Sequence, residues 1–246
     1  MKRAFVNRQL ITQTAFDSGA LTPLCTVIHK FASPGEHLCT LYQDDRPVAH
    51  FRLAVNEGAS SAQVSVDLAT LQPRGPKPCD PEPEKRFEVR PEGRVVFFTS
   101  AGRSGYAIVV QPAPGTDQDV VFDSRTLNGG DLFILTLLRP GSYRAVNTYS
   151  DAACTINVLY QERAEHPQRS IEFKEVTLTE TGFSPTAIEV KSTHGVAFQL
   201  NVPARIRVEL VEPLERRPGP EGALTAAEEV SRRRKVTWRK LTVKSN

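Results

Sequence analysis

Apolar residues recur at every second position through much of the first third of the chain. Ala49, Phe51, Leu53 and Val55 share one face, with His50 and Arg52 on the other, and the same alternation groups Cys39 with Leu41, and Val64 with Val66 and Leu68. Successive residues of a strand point to opposite faces, so a period of two predicts half-buried strands. Asp44-Asp45-Arg46-Pro47 and Asn56-Glu57-Gly58 supply turn residues between them, which predicts a meander, with an earlier strand over 24–28.

Between residues 87 and 160 the apolar segments are short and closely spaced: 95–98, 106–110, 120–122, 132–138, 143–147 and 154–160. Gly- and Pro-rich turns such as Asn128-Gly129-Gly130-Asp131 and Pro140-Gly141 separate them, the punctuation of a β-sandwich. A third block, 171–211, alternates again at Val196, Phe198 and Leu200 and at Ile206, Val208 and Leu210. It offers too few strands to close a sandwich alone, so it is expected to pair with the N-terminal block around an inserted central sandwich. Thr225-Ala226-Ala227-Glu228 is a capping-box pattern, which predicts a short helix over 226–234.

The expected class is therefore all-β, with antiparallel sandwiches of cupredoxin-like or immunoglobulin-like form and a short C-terminal helix. The divisions are a β block over 1–72, a linker over 73–86, a central sandwich over 87–164, a third β block over 165–212 and a C-terminal arm over 213–246. The linker is assigned by composition. Five prolines between 73 and 83 lack the N–H that a central strand must donate.

Composition narrows the setting. No apolar run approaches the roughly 18 to 20 residues needed to cross a bilayer, and the opening residues turn polar at once, so a cytoplasmic protein without membrane association is expected. Cys25, Cys39, Cys79 and Cys154 form no C-x-x-C pair and are read as reduced thiols, with Cys79 in the Pro-rich segment the most open to modification. The net charge of +3 is uneven: nine basic against four acidic residues make 213–246 net +5, which leaves the rest at −2. A basic arm on a mildly acidic body suits an anionic partner.

Pro140-Gly141-Ser142-Tyr143-Arg144-Ala145-Val146-Asn147 followed by Cys154-Thr155-Ile156-Asn157-Val158 resembles the last hairpin of cupredoxins. Phe183-Ser184-Pro185-Thr186-Ala187-Ile188-Glu189-Val190 is similar to the F-x-P-x-x-I-x-V opening of that family. The resemblance implies a cupredoxin-like sandwich. It does not carry copper with it, because Asn147 stands where the family's ligand cysteine would be and Ala152 near its histidine. A type 1 site needs a thiolate and two imidazoles.

Candidate chemistry is sparse. Neither G-x-G-x-x-G, G-x-x-x-x-G-K-[ST] nor G-x-S-x-G occurs, and Asp123-Ser124-Arg125 is the only local cluster that suggests a hydrolase, with no histidine near it in sequence. No cofactor is expected. Cys25, His29, His37 and Cys39 lie on neighbouring predicted strands and form the alternative candidate for a metal or small-ligand site. Arg232, Arg233, Arg234, Lys235, Trp238, Arg239 and Lys240 are the candidate partner-binding residues, suited first to an acidic protein surface and second to nucleic acid. The functional expectation is a non-catalytic scaffold or interaction protein that self-assembles through protein–protein contacts, with a ligand- or metal-binding module as the alternative.

Overall fold

The computed structural model describes residues 8–71, 85–101, 105–113, 120–160 and 172–214. All but a helical turn at Arg8–Thr12 and a 3-10 turn at Leu68–Thr70 is strand or connection, so the all-β class holds. The predicted C-terminal helix, the basic arm and Cys79 lie outside the described residues.

Among the described residues, seventeen strands form three sheets. In chain order they are β1 (Ala15–Asp17), β2 (Cys25–Phe31), β3 (Gly35–Gln43), β4 (Arg46–Val55), β5 (Gln63–Asp67) and β6 (Arg86–Val89). There follow β7 (Gly93–Phe98), β8 (Tyr106–Pro112), β9 (Phe122–Asp123), β10 (Leu132–Thr136), β11 (Gly141–Asn147) and β12 (Ala153–Leu159). The last are β13 (Phe173–Thr179), β14 (Gly182–Ser184), β15 (Ala187–Lys191), β16 (Gly195–Leu200) and β17 (Ile206–Pro213). One five-stranded sheet runs β6-β4-β3-β8-β9, the other β15-β12-β11-β17-β1, and a seven-stranded sheet runs β14-β13-β16-β10-β2-β7-β5.

Strands β4 to β7 alternate between two sheets, so β4 and β6 meet in parallel in one and β5 and β7 in parallel in the other. β12 with β15, and β13 with β16, repeat the device. This gives a β-solenoid-like stacking of about three turns.

The cupredoxin-like sandwich expected over 87–164 is therefore not formed. Pro140 to Val158 does bend into the antiparallel pair β11–β12, but β10 pairs with β2 and β16, and β7 pairs with β2 and β5. Period-two alternation says which face of a strand is buried; it does not say which sheet the strand joins. The pairing likewise cuts across the three sequence blocks. β6 to β9 join β2 to β5, β10 to β12 join β13 to β17, and β1 joins β17.

The two groups are copies of one plan. β3–β4, β3–β8 and β8–β9 are antiparallel and β4–β6 is parallel; β11–β12, β11–β17 and β17–β1 are antiparallel and β12–β15 is parallel. One constant step along the sequence relates β1, β2 and β3 to β9, β10 and β11, carrying Phe16-Asp17-Ser18 to Phe122-Asp123-Ser124, Leu21 to Leu127, Val27 to Phe133, and Pro34-Gly35 to Pro140-Gly141, and a shorter step relates β8 to β17. Hydrogen bonds repeat between the halves. Ser124 N–H donates to the Ile108 carbonyl at 3.0 Å while Ile108 N–H donates to Ser124 Oγ at 2.9 Å; Ser18 does the same with Ile206, at 2.9 and 3.1 Å. The bridge Leu21–Tyr106 has its counterpart in Leu127–Ala204. The halves join where β2 meets β10, and Val27 faces its own counterpart Phe133 there. The molecule is thus an internal pair of similar halves whose shared sheet runs through the junction.

Apolar side chains fill the space under the shared sheet. Val27, Phe31, Phe97, Phe133 and Phe198 from the seven-stranded sheet and Leu41, Phe51, Leu53, Tyr143 and Ile156 from the two smaller ones are all buried. Removing each such side chain from water contributes about 1.5–3 kcal/mol, so these alternating faces hold the sheets together.

Candidate functional site

β2 sends Cys25, Val27, His29 and Phe31 to its buried face, because side chains alternate along a strand. β3 does the same with His37, Cys39 and Leu41. The Ala32-Ser33-Pro34 connection turns one strand into the other, so the inward face places His29 near the end of β2 and His37 near the start of β3. Both line one cavity of about 600 Å³, walled also by Phe31, Pro34, Pro112 and Val121. That volume falls in the range of small-molecule pockets, roughly 300–1,000 Å³.

His29 is held firmly. Its Nδ1 donates to Asp131 Oδ1 at 2.6 Å, and Asp131 Oδ2 accepts from the Asn128 N–H at 2.8 Å. Asp131 comes from the second half, immediately before β10, so this hydrogen bond also crosses the junction. The imidazole packs edge-on against Phe31 and tilted against Phe122, each centroid 4.6 Å away. A carboxylate on Nδ1 fixes the tautomer and leaves Nε2 as the nitrogen available to a ligand.

His37 is the anomaly. It is only 8 % exposed, and among the described residues neither Nδ1 nor Nε2 has a hydrogen-bond partner. Its ring packs against Phe31 at a centroid distance of 5.6 Å. Burial, opposed by nearby Glu36 and reinforced by His29, lowers its pKa below the ordinary 6.5, so the ring is neutral at pH 7 with one donor and one acceptor. Leaving such a group buried and unpaired costs about 1–3 kcal/mol, and native structures rarely do so without a role for it.

The structure thus brings together two of the four residues Cys25, His29, His37 and Cys39 and separates the other two. Cys25 is buried beside Thr22 Oγ1, at 3.8 Å, and burial pushes its thiol up to about 12. Cys39 is fully buried between β4 and β8, and burial raises its thiol far above the usual range. Neither is a thiolate at neutral pH. Among the described residues no three His, Cys, Asp or Glu side chains are grouped to hold a metal ion. Cys154, buried near the Pro185 carbonyl at 3.5 Å, has its thiol raised to about 11.

Asp123-Ser124-Arg125 has a structural explanation. Arg125 pairs with its own neighbour Asp123 at 2.8 Å, and Ser124 is buried in the repeated hydrogen bond to Ile108. Asn147 is also buried, its Oδ1 accepting from the N–H groups of Tyr149 and Arg205. His194 stands between β15 and β16, strands of different sheets. The candidate partner-binding residues Arg232, Arg233, Arg234, Lys235, Trp238, Arg239 and Lys240 lie outside the described residues.

Sequence reasoning missed Asp131, read as a turn residue, because its partner is 102 positions away. The only available signal was the repeat: the step that superposes Phe16-Asp17-Ser18 on Phe122-Asp123-Ser124 also superposes Cys25 on Asp131. No family model, no curated protein and no solved structure matches the chain.

Proposed function

We propose that this is a non-catalytic binding protein whose duplicated β framework carries a small-ligand cavity in its first half. The observation that carries this reading is His37, buried at the cavity wall with both ring nitrogens unpaired among the described residues. The His29–Asp131 pair alone does not make a catalyst, since nucleophilic catalysis needs a nucleophile held against the base. Among the described residues no hydroxyl or thiol is hydrogen-bonded to His29. Screening the full chain against a small-molecule library by thermal shift is the test, with His37→Phe as the control. Compounds that raise the melting temperature of the native chain and leave the variant unmoved support the reading. A library without a single such compound counts against it.

A second reading, association with further copies of the chain or with other protein subunits, has its own support. Leu159 and Leu214, both exposed, line a groove of about 320 Å³, and Tyr160 and Val211, their near neighbours in sequence, are exposed as well, Val211 by 67 %. Apolar surface of this kind is common at protein contacts. Light scattering across a concentration series tests self-assembly, and a strict monomer at the highest concentration excludes it. Among the described residues no helix is long and apolar enough to cross a membrane. A cytoplasmic setting belongs to the same proposal, supported by three buried free thiols, Cys25, Cys39 and Cys154.

A further inference from the structure

The internal repeat places a built-in control beside the cavity. The step that relates the halves carries His29 to Leu135, Asp131 back to Cys25, and His37 to Tyr143. At the equivalent place Leu135 and Cys25 are apolar register partners across the β2–β10 junction. Tyr143 is 1 % exposed and satisfied, its hydroxyl donating to the Arg139 carbonyl at 2.9 Å. The same backbone plan therefore accepts a ring that fills its space and pairs its polar atom. The first half has an unpaired imidazole and an open cavity at the matching place. Fold requirements do not explain that choice, and a local rule broken without compensation marks a functional position.

The chemistry of the walls selects the ligand. Lys30 is ion-paired with Glu92, and Glu36 with Arg86 at 2.8 Å, so the charged side chains at the rim already have partners. Apart from Ser33 the remaining walls are apolar and aromatic, with two imidazoles set among them: His29, held by Asp131, and the neutral His37. We propose, building on the ligand-binding reading above, that the first-half cavity takes an uncharged, hydroxyl-bearing ring compound. Its ring lies against Phe31 and its hydroxyl hydrogen-bonds a ring nitrogen of His37, filling the place that Tyr143 fills in the second half.

Phenol is the simplest probe, with benzene, benzoate and zinc as comparisons, followed through the histidine side-chain nitrogen resonances of the full chain. Phenol is expected to shift the His37 resonances saturably, benzene to bind about tenfold more weakly for want of the hydrogen bond, and benzoate and zinc to leave His37 unmoved. Phenol should also move the resonances of His29, which lines the same cavity, and His37→Tyr should abolish that shift and raise the melting temperature by about 2–4 °C by filling the cavity. Failure of phenol to bind overturns the proposed ligand class. If benzoate or zinc instead saturates the His37 signal, the class fails while the cavity stands as a binding site. If no probe moves His37 and His37→Tyr lowers the melting temperature, the ligand-binding reading fails with it.

Discussion

At the scale of single residues, the repeated Ser18 and Ser124 show what duplication conserves. Each is fully buried and accepts, through Oγ, the N–H of the first or third residue of a neighbouring strand, Ile206 or Ile108. Ser18→Ala and Ser124→Ala should each destabilise by about 1–3 kcal/mol, because each strands a buried donor, and the two values should agree closely. Chemical denaturation of the two variants measures this directly. His37 predicts a pH effect of definite sign. Its pKa is lowered in the folded chain, so below 6.5 the unfolded chain takes up a proton that the folded one resists. Stability is therefore full above 6.5 and falls as the pH drops through it. Asp17 does not interfere in this window. Burial tends to raise its carboxyl, but Arg205, the Gly19 N–H and Arg207 outweigh burial and hold it below 3.8, so its contribution is lost only in stronger acid. Urea unfolding at pH 7.5 and 5.5 should show a drop in the native chain that His37→Phe reduces.

At the scale of elements, the sequence was most informative about which residues lie in strands. The alternation of Phe51, Leu53 and Val55 matches the buried face of β4, and that of Val196, Phe198 and Leu200 matches β16. Partner strands were not legible, because β4 and β6, or β13 and β16, meet in parallel only after the chain has crossed to another sheet and returned. Half of the site was readable in the same way. His29 and His37 fall on the inward faces of consecutive strands, whereas Asp131 reaches His29 through the β2–β10 pairing, which no local pattern encodes. The paired Pro-Gly turns test how far two equivalent elements can diverge. Gly141 has φ +152°, and a Cβ there would lie 2.5 Å from the Glu212 carbonyl oxygen; at Gly35 the nearest atom would be His37 Nε2, 3.6 Å away. Gly141→Ala should destabilise by about 1–3 kcal/mol through overpacking, and Gly35→Ala should change stability by less than about 0.5 kcal/mol. Thermal melts of the two variants decide it.

At the scale of the whole molecule, the two halves complete one another. β9, which leads into the second half, finishes the sheet of the first, and β1, which leads into the first, finishes the sheet of the second. The Leu210 N–H donates to the Thr14 carbonyl at 2.9 Å, so the two ends of the folded body lie side by side. The order of strands is therefore a closed circle, and where the polypeptide is cut is a matter of synthesis and not of architecture. A circular permutant that joins Leu214 to Thr12 through a short flexible linker and opens between Pro112 and Val121 should fold to the same three sheets, since adjacent ends favour permutation. Its circular dichroism spectrum and its histidine resonances should match those of the parent chain. Deletion through Asp17, by contrast, breaks the circle, and it should destabilise the second half although every residue removed precedes the first.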